Sequence, residues 1–340
     1  TGSAAPAWAR SWAPASRRGQ DLVDDLIAAT DRRAIPVAVG NAARELIVEN
    51  GAVCGAMVET GGRQSEVRAG KTILALNGFA DNAALVARFC PEIAGAQYFG
   101  ARGSTGEAVL WGERLGADLA NMAAYQGYAA VAHPHGSLLS WTTIEKGGFL
   151  VGADGRRFGD ESLGYSGFAR IVLGQGEFAY AVFDRRIHDI AAQEEEFAEL
   201  VRYSGVKTAA SLAELAQFYR LDAAALGQEL DAYNAAAGGR APDRFGRRDF
   251  GLAPLVAPYH ICRVVPGLFH TQGGLRVDGD ARVLRNGRAI PNLFAGGGAA
   301  AGISGRAGAL GYASGNGLLS AIALGRIAAL AAARELDGAG

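Results

Sequence analysis

The chain has 340 residues, of which 49% are hydrophobic and 20% are charged, and this composition suits a compact protein of two domains. Its formal net charge of −1 excludes the strongly basic surface with which proteins bind nucleic acid or acidic membranes. The three cysteines are scattered, which gives neither a disulfide framework nor a metal-ligand spacing and favours a reducing compartment. We therefore expect a cytoplasmic protein with no bound metal and no nucleic-acid partner.

The glycine and alanine contents give further expectations about backbone turns and membrane spans. The chain contains 49 glycines without a collagen repeat, which indicates many tight turns and close approaches of the backbone. The most apolar stretch, Leu318 to Ala333, carries Arg326 in its middle and is mostly alanine. We therefore expect no membrane span.

The first hundred residues predict a mixture of helix and strand. A helical pattern covers Asp21 to Thr30, and Lys71 to Leu76 is typical of a buried strand that runs into Asn77 and Gly78. Glu49-Asn50-Gly51 is a hairpin signal between two of the strands. The other predicted strands are Ile35–Val39, Glu45–Val48 and Val53–Val58.

Residues 101–255 predict strands and amphipathic helices. A helix is expected to follow Gly103, with Ser104 or Thr105 as its N-terminal cap. Gly148 to Glu161 predicts a hairpin that turns at Asp154 and the glycine after it. The remaining predictions are a strand over Tyr180–Phe183 and helices over Ile187–Leu200, Ser211–Phe218 and Ala223–Ala237.

The C-terminal region combines glycine-rich turns with one long helix. An apolar run from Ile290 to Ala295 enters Gly296 and Gly297, and Gly315-Asn316-Gly317 precedes a long helical pattern. We expect Asn316 to cap this helix, whose first amides have no internal partner and whose dipole is positive at this end. Such a helix start suits a phosphate or a heterocycle that carries negative charge. The glycines alone equally suit a tightly packed strand–helix corner without a ligand.

Four motifs in this region carry a family resemblance. They are a T-x-G-G turn, an a-r-V-L ribbon, a G-x-P-I-P-x-L-[FY]-A-[AG]-G run and a G-x-G-L helix start. They occupy Thr271–Gly274, Ala281–Leu284, Gly287–Gly297 and Gly315–Leu318. The region resembles the C-terminal flavin-binding segment of the fumarate reductase and 3-ketosteroid Δ1-dehydrogenase superfamily of FAD enzymes, which includes tricarballylate dehydrogenase-like proteins.

The resemblance implies an α/β fold with FAD as cofactor. A discontinuous Rossmann-like FAD-binding domain is expected over residues 1–100 and 256–340, with an inserted α+β cap domain over residues 101–255. Family members open with a strand and a G-x-G-x-x-G turn, and nothing before Gly78 matches that pattern. We therefore expect the chain to lack about the first hundred residues of a family member.

The resemblance also assigns candidate cofactor contacts. Those on the strand and turn segments are Ala75, Asn77, Gly78, Gly273, Gly296 and Gly297. Those at the start of the long helix are Gly315, Asn316, Gly317 and Leu318.

Two tyrosines are candidates for catalysis by the same resemblance. Tyr165 follows Glu161 and Ser162 with the E-S-x-x-Y spacing of the ketosteroid dehydrogenases, in which the tyrosine is the base. Fumarate reductases have a proton-donating arginine there instead. Tyr312 matches the tyrosine that polarises the ketone in the steroid enzymes, although Ala313 follows it in place of their proline. Aromatic packing is the alternative role for both side chains.

Two further candidates are His270 and Arg306. His270 matches the histidine that binds a substrate carboxylate in fumarate reductases, and a structural histidine beside a turn is the alternative. Gln272 departs from the residue typical of that family. Arg306, in a glycine-rich loop, is a candidate for carboxylate binding or proton delivery, and a solvated loop charge is its simpler role.

The resulting hypothesis is an FAD-dependent oxidoreductase that acts on a CH–CH or C=C bond beside a carbonyl or carboxylate. A dicarboxylate or a ketone is the expected substrate. A separate electron donor or acceptor is expected, because no second dinucleotide motif is present to bind a nicotinamide. The alternative is a flavin-free module that needs a partner chain to supply the missing dinucleotide-binding half.

Overall fold

The computed structural model describes residues 19–338, which divide into two compact units. One unit comprises residues 19–45 and 56–67, and the other comprises residues 46–55 and 68–338. The α-helices are Gly19–Arg32, Ala83–Phe89, Glu107–Leu115, Thr142–Glu145, Gly164–Leu173, Arg185–Ala191, Glu195–Arg202, Leu212–Gln217, Ala223–Ala237 and Asn316–Asp337.

The strands fall into four sheets. In chain order they are β1 Asn41–Glu49, β2 Ala52–Thr60, β3 Arg63–Arg68, β4 Thr72–Leu74, β5 Gln97–Tyr98, β6 Leu119–Ala120, β7 Ala123–Ala132, β8 Phe149–Val151, β9 Ala179–Asp184, β10 Val206–Ala209, β11 Tyr259–Thr271, β12 Gly274–Leu275, β13 Arg282–Arg285, β14 Arg288–Ala295 and β15 Ala307–Gly308.

The early predictions are mostly confirmed. The first predicted helix is present as Gly19–Arg32, and the hairpin joins β1 to β2 through Asn50 and Gly51, both at positive φ. The predicted strand Ile35–Val39 is wrong, because this segment is not in a strand and its apolar side chains are exposed. A period-two pattern forms a strand only where a neighbouring strand completes its hydrogen bonds, and none pairs with it in the described chain.

A three-stranded sheet positions the C-terminal helix. Strand β14 pairs in parallel with β4 and antiparallel with β13, so the carboxyl ends of β4 and β14 meet at one edge. Helix Asn316–Asp337 packs on this sheet through Ala328, Ala331 and Ala332, which are buried beside Phe294. Within residues 19–338 this is the helix with the length and mean hydropathy, 1.5, of a membrane span, although only 28% of that window is buried.

A larger sheet is built around β11. Its neighbours are β7 and β9, both antiparallel, and it also pairs with β10 and β5. Strand β11 lies after residue 255, yet most of its partners lie within residues 101–255. The predicted domain boundary at residues 255 and 256 therefore stays a prediction.

Two helix predictions in residues 101–255 need correction. Helix Glu107–Leu115 is capped by Gly106 in a left-handed conformation, and neither Ser104 nor Thr105 caps it. The hydroxyl of Ser104 instead donates to the carbonyl of Ala101, which satisfies the turn before the helix. The predicted helix Ile187–Leu200 is two helices, because the chain is extended at Glu194.

The Glu194 carboxylate explains that interruption. It accepts a hydrogen bond from the Thr142 hydroxyl at 2.8 Å, which ties this segment to the start of helix Thr142–Glu145. The next helix then starts at Glu195. The predictions Ser211–Phe218 and Ala223–Ala237 are confirmed, with Ser211 and Asp222 as the capping residues.

A buried ion-pair network supports the hairpin that was predicted around Asp154. The Glu161 carboxylate accepts hydrogen bonds from Arg157 at 2.6 Å and from Arg247 at 3.4 Å. Asp243 accepts a further bond from Arg157, and the side chains of Arg157 and Glu161 are 1% and 0% exposed. Each arginine therefore depends on a carboxylate for its charge compensation.

We expect Glu161→Gln to destabilise the fold by about 3–5 kcal/mol, because it leaves buried guanidinium groups without a full counter-charge. The measurement is urea unfolding at neutral pH. Glu177→Gln, at an exposed position, is the matched control and should change stability by less than about 0.5 kcal/mol. Equal stability of the two variants would show that the network contributes nothing.

A buried histidine makes the fold sensitive to acid. His260 is 1% exposed, stacks on His188 at 4.4 Å, and has no hydrogen-bond partner at Nε2 within residues 19–338. Burial, with the charges of His188 and Arg185, lowers the pKa of His260 from 6.5 to about 4. Asp184 and Asp189 oppose that shift but do not cancel it.

We expect the free energy of unfolding to fall as pH drops from about 6.5 to about 4. Between these pH values His260 binds a proton in the unfolded chain but not in the folded chain. The free energy of unfolding therefore decreases by about 3 kcal/mol across this range. Urea titrations between pH 7 and pH 4 measure the slope. His260→Phe should flatten it, and an unchanged slope in this variant would assign the acid sensitivity to other groups.

Candidate active site

A cavity of about 440 Å³ lies where β4 and β14 end and the C-terminal helix begins. Its wall contains six of the residues predicted to contact a cofactor, together with His270. The lining residues are Ile73, Ala75, Leu76, Asn77, His270, Gly296, Gly297, Gly298, Gly317, Leu318, Ala321 and Gly325. None of these side chains is an acid, a lysine or an arginine, so the cavity suits a planar, largely uncharged ring.

Glycines shape this cavity in two different ways. A Cβ on Gly296 would lie 3.0 Å from the Gly325 amide nitrogen, so Gly296 lets the helix pack against the strand end. A Cβ on Gly317 would have no atom within 4 Å, and the same holds for Gly325. These two positions therefore leave open space on the cavity wall.

The start of the helix differs from the prediction. Gly315, at φ +83°, is the N-terminal cap, and Asn316 is the first helical residue, so the prediction that Asn316 caps the helix is wrong. The Asn316 side chain instead turns inward and donates from Nδ2 to Oε1 of Gln272 at 2.6 Å. Its Oδ1 is buried and has no hydrogen-bond partner within residues 19–338. No side chain caps the helix, so its first turn is open to a ligand acceptor.

Gly78 and Gly273 have packing roles. A Cβ on Gly78 would lie 2.4 Å from Oγ1 of Thr271, whose hydroxyl accepts a hydrogen bond from the Phe79 amide. A Cβ on Gly273 would lie 2.4 Å from Cα of Met122. Neither glycine lines the cavity, and the same is true of Gly315 and Asn316. Their contact with a cofactor stays a prediction.

The two predicted catalytic tyrosines meet. Tyr165, near the start of helix Gly164–Leu173, has its hydroxyl 3.1 Å from the hydroxyl of Tyr312. Burial and the hydrogen bond to Tyr165 raise the pKa of Tyr312, and the Ser314 hydroxyl opposes the rise. Tyr312 therefore keeps its proton and can donate it in the bond to Tyr165.

An aromatic wall holds Tyr165 in place, and sequence reasoning missed it. Tyr128 on β7 packs against the Tyr165 ring at 5.2 Å and stacks on Phe269 of β11 at 5.5 Å. The Tyr128 hydroxyl is itself occupied, since it donates to the carbonyl of Leu139. Tyr128 lies opposite Gly267 in the register of the paired strands, so its ring meets Phe269, two residues further along β11, on the diagonal.

His270 is neutral in this setting. It lies near the end of β11, and its Nδ1 is 3.1 Å from Nε2 of Gln272. Burial lowers the pKa of His270, and a hydrogen bond with the Thr271 backbone opposes the shift. The imidazole therefore meets the cavity as an uncharged group.

Arg306 is separate from these groups. It is exposed, on the loop before β15, and does not line the cavity. Its role in carboxylate binding or proton delivery stays a prediction. Across residues 19–338 no three side chains of His, Cys, Asp or Glu form a group that could hold a metal ion.

Comparison with known protein families identifies the family of this chain. Residues 2–318 match the family described as "FAD binding domain". The chain belongs to this family. The predicted superfamily, the α/β FAD-binding fold and FAD as the cofactor are therefore confirmed. The glycine-walled cavity and the uncapped helix start fit the flavin group.

The curated relatives of this chain include proteins named as fumarate reductases and as a steroid dehydrogenase. The chain is 28% identical to an NADH:fumarate oxidoreductase of Klebsiella pneumoniae, over 94% of this chain and 34% of the relative. It is 29% identical to a fumarate reductase (cytochrome) of Shewanella frigidimarina, over 79% and 46%. It is 30% identical to a 3-oxosteroid 1-dehydrogenase of Mycobacterium tuberculosis, over 86% and 60%. The chain thus spans between about a third and three-fifths of the length of these relatives.

The solved structures that are similar to this chain also include a fumarate reductase and a ketosteroid dehydrogenase. The open conformation of a flavocytochrome c3 fumarate reductase matches with a TM-score of 0.77 at 25% identity, over 93% of this chain and 56% of that one. The 3-ketosteroid-Δ4-(5α)-dehydrogenase of Rhodococcus jostii RHA1, in complex with 4-androstene-3,17-dione, matches with a TM-score of 0.69 at 26% identity. That second match covers 94% of this chain and 65% of the neighbour.

We expect Gly317→Val to weaken FAD binding by about tenfold or more, because the added methyl groups enter the space that the ring fills. The fold should survive, since valine is a slightly better helix former than glycine and meets no protein atom at Cβ. Flavin content after purification and the FAD dissociation constant measure the effect.

The matched control is Gly227→Val. Gly227 lies inside helix Ala223–Ala237, and a Cβ there also has no atom within 4 Å, but the residue is not in the cavity wall. This variant should keep full flavin content. Full flavin content in Gly317→Val as well would mean that the open space at the helix start is not the flavin site.

Proposed function

We propose that the chain is the core of an FAD-dependent oxidoreductase that forms or reduces a C=C bond beside a carbonyl group. The observation that carries this proposal is the contact of 3.1 Å between the hydroxyls of Tyr165 and Tyr312. Flavin supplies hydride transfer when it is bound. The chain must then supply a group that moves the second hydrogen as a proton and donors that hold the carbonyl oxygen.

Tyr165 is the proposed proton-transfer residue. An ordinary phenol has a pKa near 10, so it acts as a base only when its phenolate is stabilised. Tyr312 provides that stabilisation, because its raised pKa keeps it protonated and its hydroxyl points to the Tyr165 oxygen. Tyr128 fixes the Tyr165 ring from behind, so the hydroxyl has a defined position.

The carbonyl oxygen is held by neutral donors. As a C–H bond beside the carbonyl loses its proton, negative charge develops on the oxygen, and hydrogen-bond donors stabilise it. Tyr312, which is half-buried, and neutral His270, which is more deeply shielded from water, are the proposed donors. Tyr312 has one hydrogen to donate, so it bonds to Tyr165 before the reaction and to the substrate oxygen as negative charge develops there, when Tyr165 has taken up the proton.

A ketone is the favoured substrate. Tyr165, Tyr312 and His270 carry no fixed positive charge, whereas a dicarboxylate needs cations to offset the loss of its hydration. A dicarboxylate is the second candidate, supported by the relatives named as fumarate reductases and by the position of His270. Arg306 becomes a carboxylate ligand in that case, and its loop must then move inward from its exposed position.

Electron transfer to or from a separate carrier completes the proposal. One relative is named as a cytochrome-type reductase and another as an NADH oxidoreductase, and in both the chain matches less than half of the whole protein. We propose that this chain itself binds no nicotinamide and spans no membrane, and that it works in the cytoplasm. Catalytic oxidation of NADH by the pure chain would contradict the first point.

The test is a flavin spectrum followed by a substrate panel. A yellow preparation that reduces enones or oxidises saturated ketones, with an artificial electron carrier, supports the proposal. Turnover restricted to di- or tricarboxylates selects the second candidate. A colourless protein that takes up no FAD supports the alternative that a partner chain must supply a missing dinucleotide-binding half.

We expect Tyr165→Phe to lower turnover by about 10²- to 10⁴-fold, because it removes the proton-transfer hydroxyl. Flavin content should stay unchanged, since Tyr165 does not line the cavity with the open glycines. Tyr203→Phe is the control, because Tyr203 is 71% exposed and its hydroxyl has no assigned role. Full turnover in Tyr165→Phe would remove the tyrosine pair from the mechanism.

A further inference from the structure

Two buried amide side chains and the half-buried imidazole of His270 form a continuous series of hydrogen bonds from the helix start to the cavity. Asn316 Nδ2 donates to Gln272 Oε1 at 2.6 Å, and Gln272 Nε2 lies 3.1 Å from Nδ1 of His270. Gln272 and Asn316 are both 4% exposed, so water does not compete for these bonds. His270 is the member that lines the cavity.

The backbone fixes Gln272 between the other two. Its amide donates to the carbonyl of Ala124 at 2.8 Å, and its carbonyl accepts from the Gly302 amide at 2.7 Å. A Cβ on Gly302 would lie 2.8 Å from Gln272 Oε1, so the loop also closes over the side chain. Such a constrained amide has two orientations, related by exchange of its oxygen and nitrogen.

The donor-to-acceptor direction of these hydrogen bonds determines the tautomer of His270. An amide nitrogen only donates, so the bond from Asn316 Nδ2 requires an oxygen on Gln272 at that end. The other end of Gln272 is then its nitrogen, which also only donates. His270 Nδ1 must therefore accept, and a neutral imidazole that accepts at Nδ1 carries its proton on Nε2.

We propose that Gln272 is a positioning residue that transmits the orientation of Asn316 to His270 and fixes it as the Nε2–H tautomer. His270 then presents a hydrogen-bond donor, not a base. A donor is what the oxygen of an activated carbonyl or carboxylate needs. That use of the Nε2–H group rests on the proposed function, whereas the tautomer is inferred from the hydrogen bonds among the three side chains, which need no substrate.

The decisive variant is Asn316→Asp, which reverses the donor-to-acceptor direction of these hydrogen bonds without substituting His270 or Gln272. A carboxylate only accepts, so Gln272 must turn its nitrogen toward Asp and its oxygen toward the histidine. The proton of His270 then moves to Nδ1. The substitution suits its place, because an acidic residue in the first turn of a helix is stabilised by the helix dipole.

Histidine labelled with ¹⁵N reports the outcome, because protonated and bare ring nitrogens have well separated chemical shifts. The chain has five histidines, and His270→Gln identifies the signals of interest by their loss. We expect Nε2–H in the wild-type protein and Nδ1–H in Asn316→Asp. The experiment needs neither flavin nor substrate, so its result is independent of the proposed function.

Gln272→Met is the matched control, since methionine has a similar shape and cannot relay a hydrogen bond. In the double variant Asn316→Asp/Gln272→Met the new charge is present without the relay. We expect the His270 spectrum of the double variant to equal that of Gln272→Met alone. If the Asp substitution moves the His270 proton in both backgrounds, its charge acts directly and the relay is wrong.

The wild-type spectrum keeps the test decisive if a variant fails to fold. A proton on Nδ1 of His270 in the wild-type protein overturns the proposal without any substitution. With flavin bound, Gln272→Met should lower kcat and keep the flavin content, because His270 loses its fixed orientation while the cavity wall is intact. Unchanged kcat in that variant would remove His270 positioning from catalysis but would leave the tautomer assignment standing.

Discussion

The structure depends on a close approach between one strand end and one helix. Gly296, where β14 ends, faces the Gly325 amide so closely that no side chain fits between them. This contact brings the C-terminal helix against the edge at which β4 and β14 both end. The first turn of the helix then opens toward the cavity, with Gly317 leaving its wall bare. Larger residues at this contact would move the helix away and separate the cavity from the dipole that favours a negative ring edge.

The catalytic groups are positioned by a different part of the protein. Strand β11 runs through the centre of the larger sheet and delivers Phe269 and His270 at its end. Phe269 stacks on Tyr128, which in turn packs on Tyr165, so one strand places both the imidazole and the wall behind the proposed base. The loop after β15 brings Tyr312 to the same point.

The motifs predicted the cavity better than its surroundings. Four motifs in a fixed order, three of them with glycines, identified the family, and the predicted contacts Ala75, Asn77, Gly296, Gly297, Gly317 and Leu318 share one wall. This succeeded because glycine at a ligand is set by local backbone geometry, which a short motif records. The strand at Ile35–Val39 failed because alternation alone does not supply a partner strand. The capping predictions at Ser104 and Asn316 failed because a glycine in a left-handed conformation took the cap in each case.

Asn316 shows why the remainder of the site was out of reach. From sequence, an Asn between two glycines is a good helix cap, since its side chain can bond to its own helix. In the fold the same side chain gains more from Gln272, a residue 44 positions away that is equally shielded from water. A buried amide left unpaired costs more than an uncapped helix end that a ligand can satisfy. The hydrogen bonds to Gln272 and His270 therefore take precedence over the local cap, and the helix start is left open to a ligand because its own asparagine bonds elsewhere.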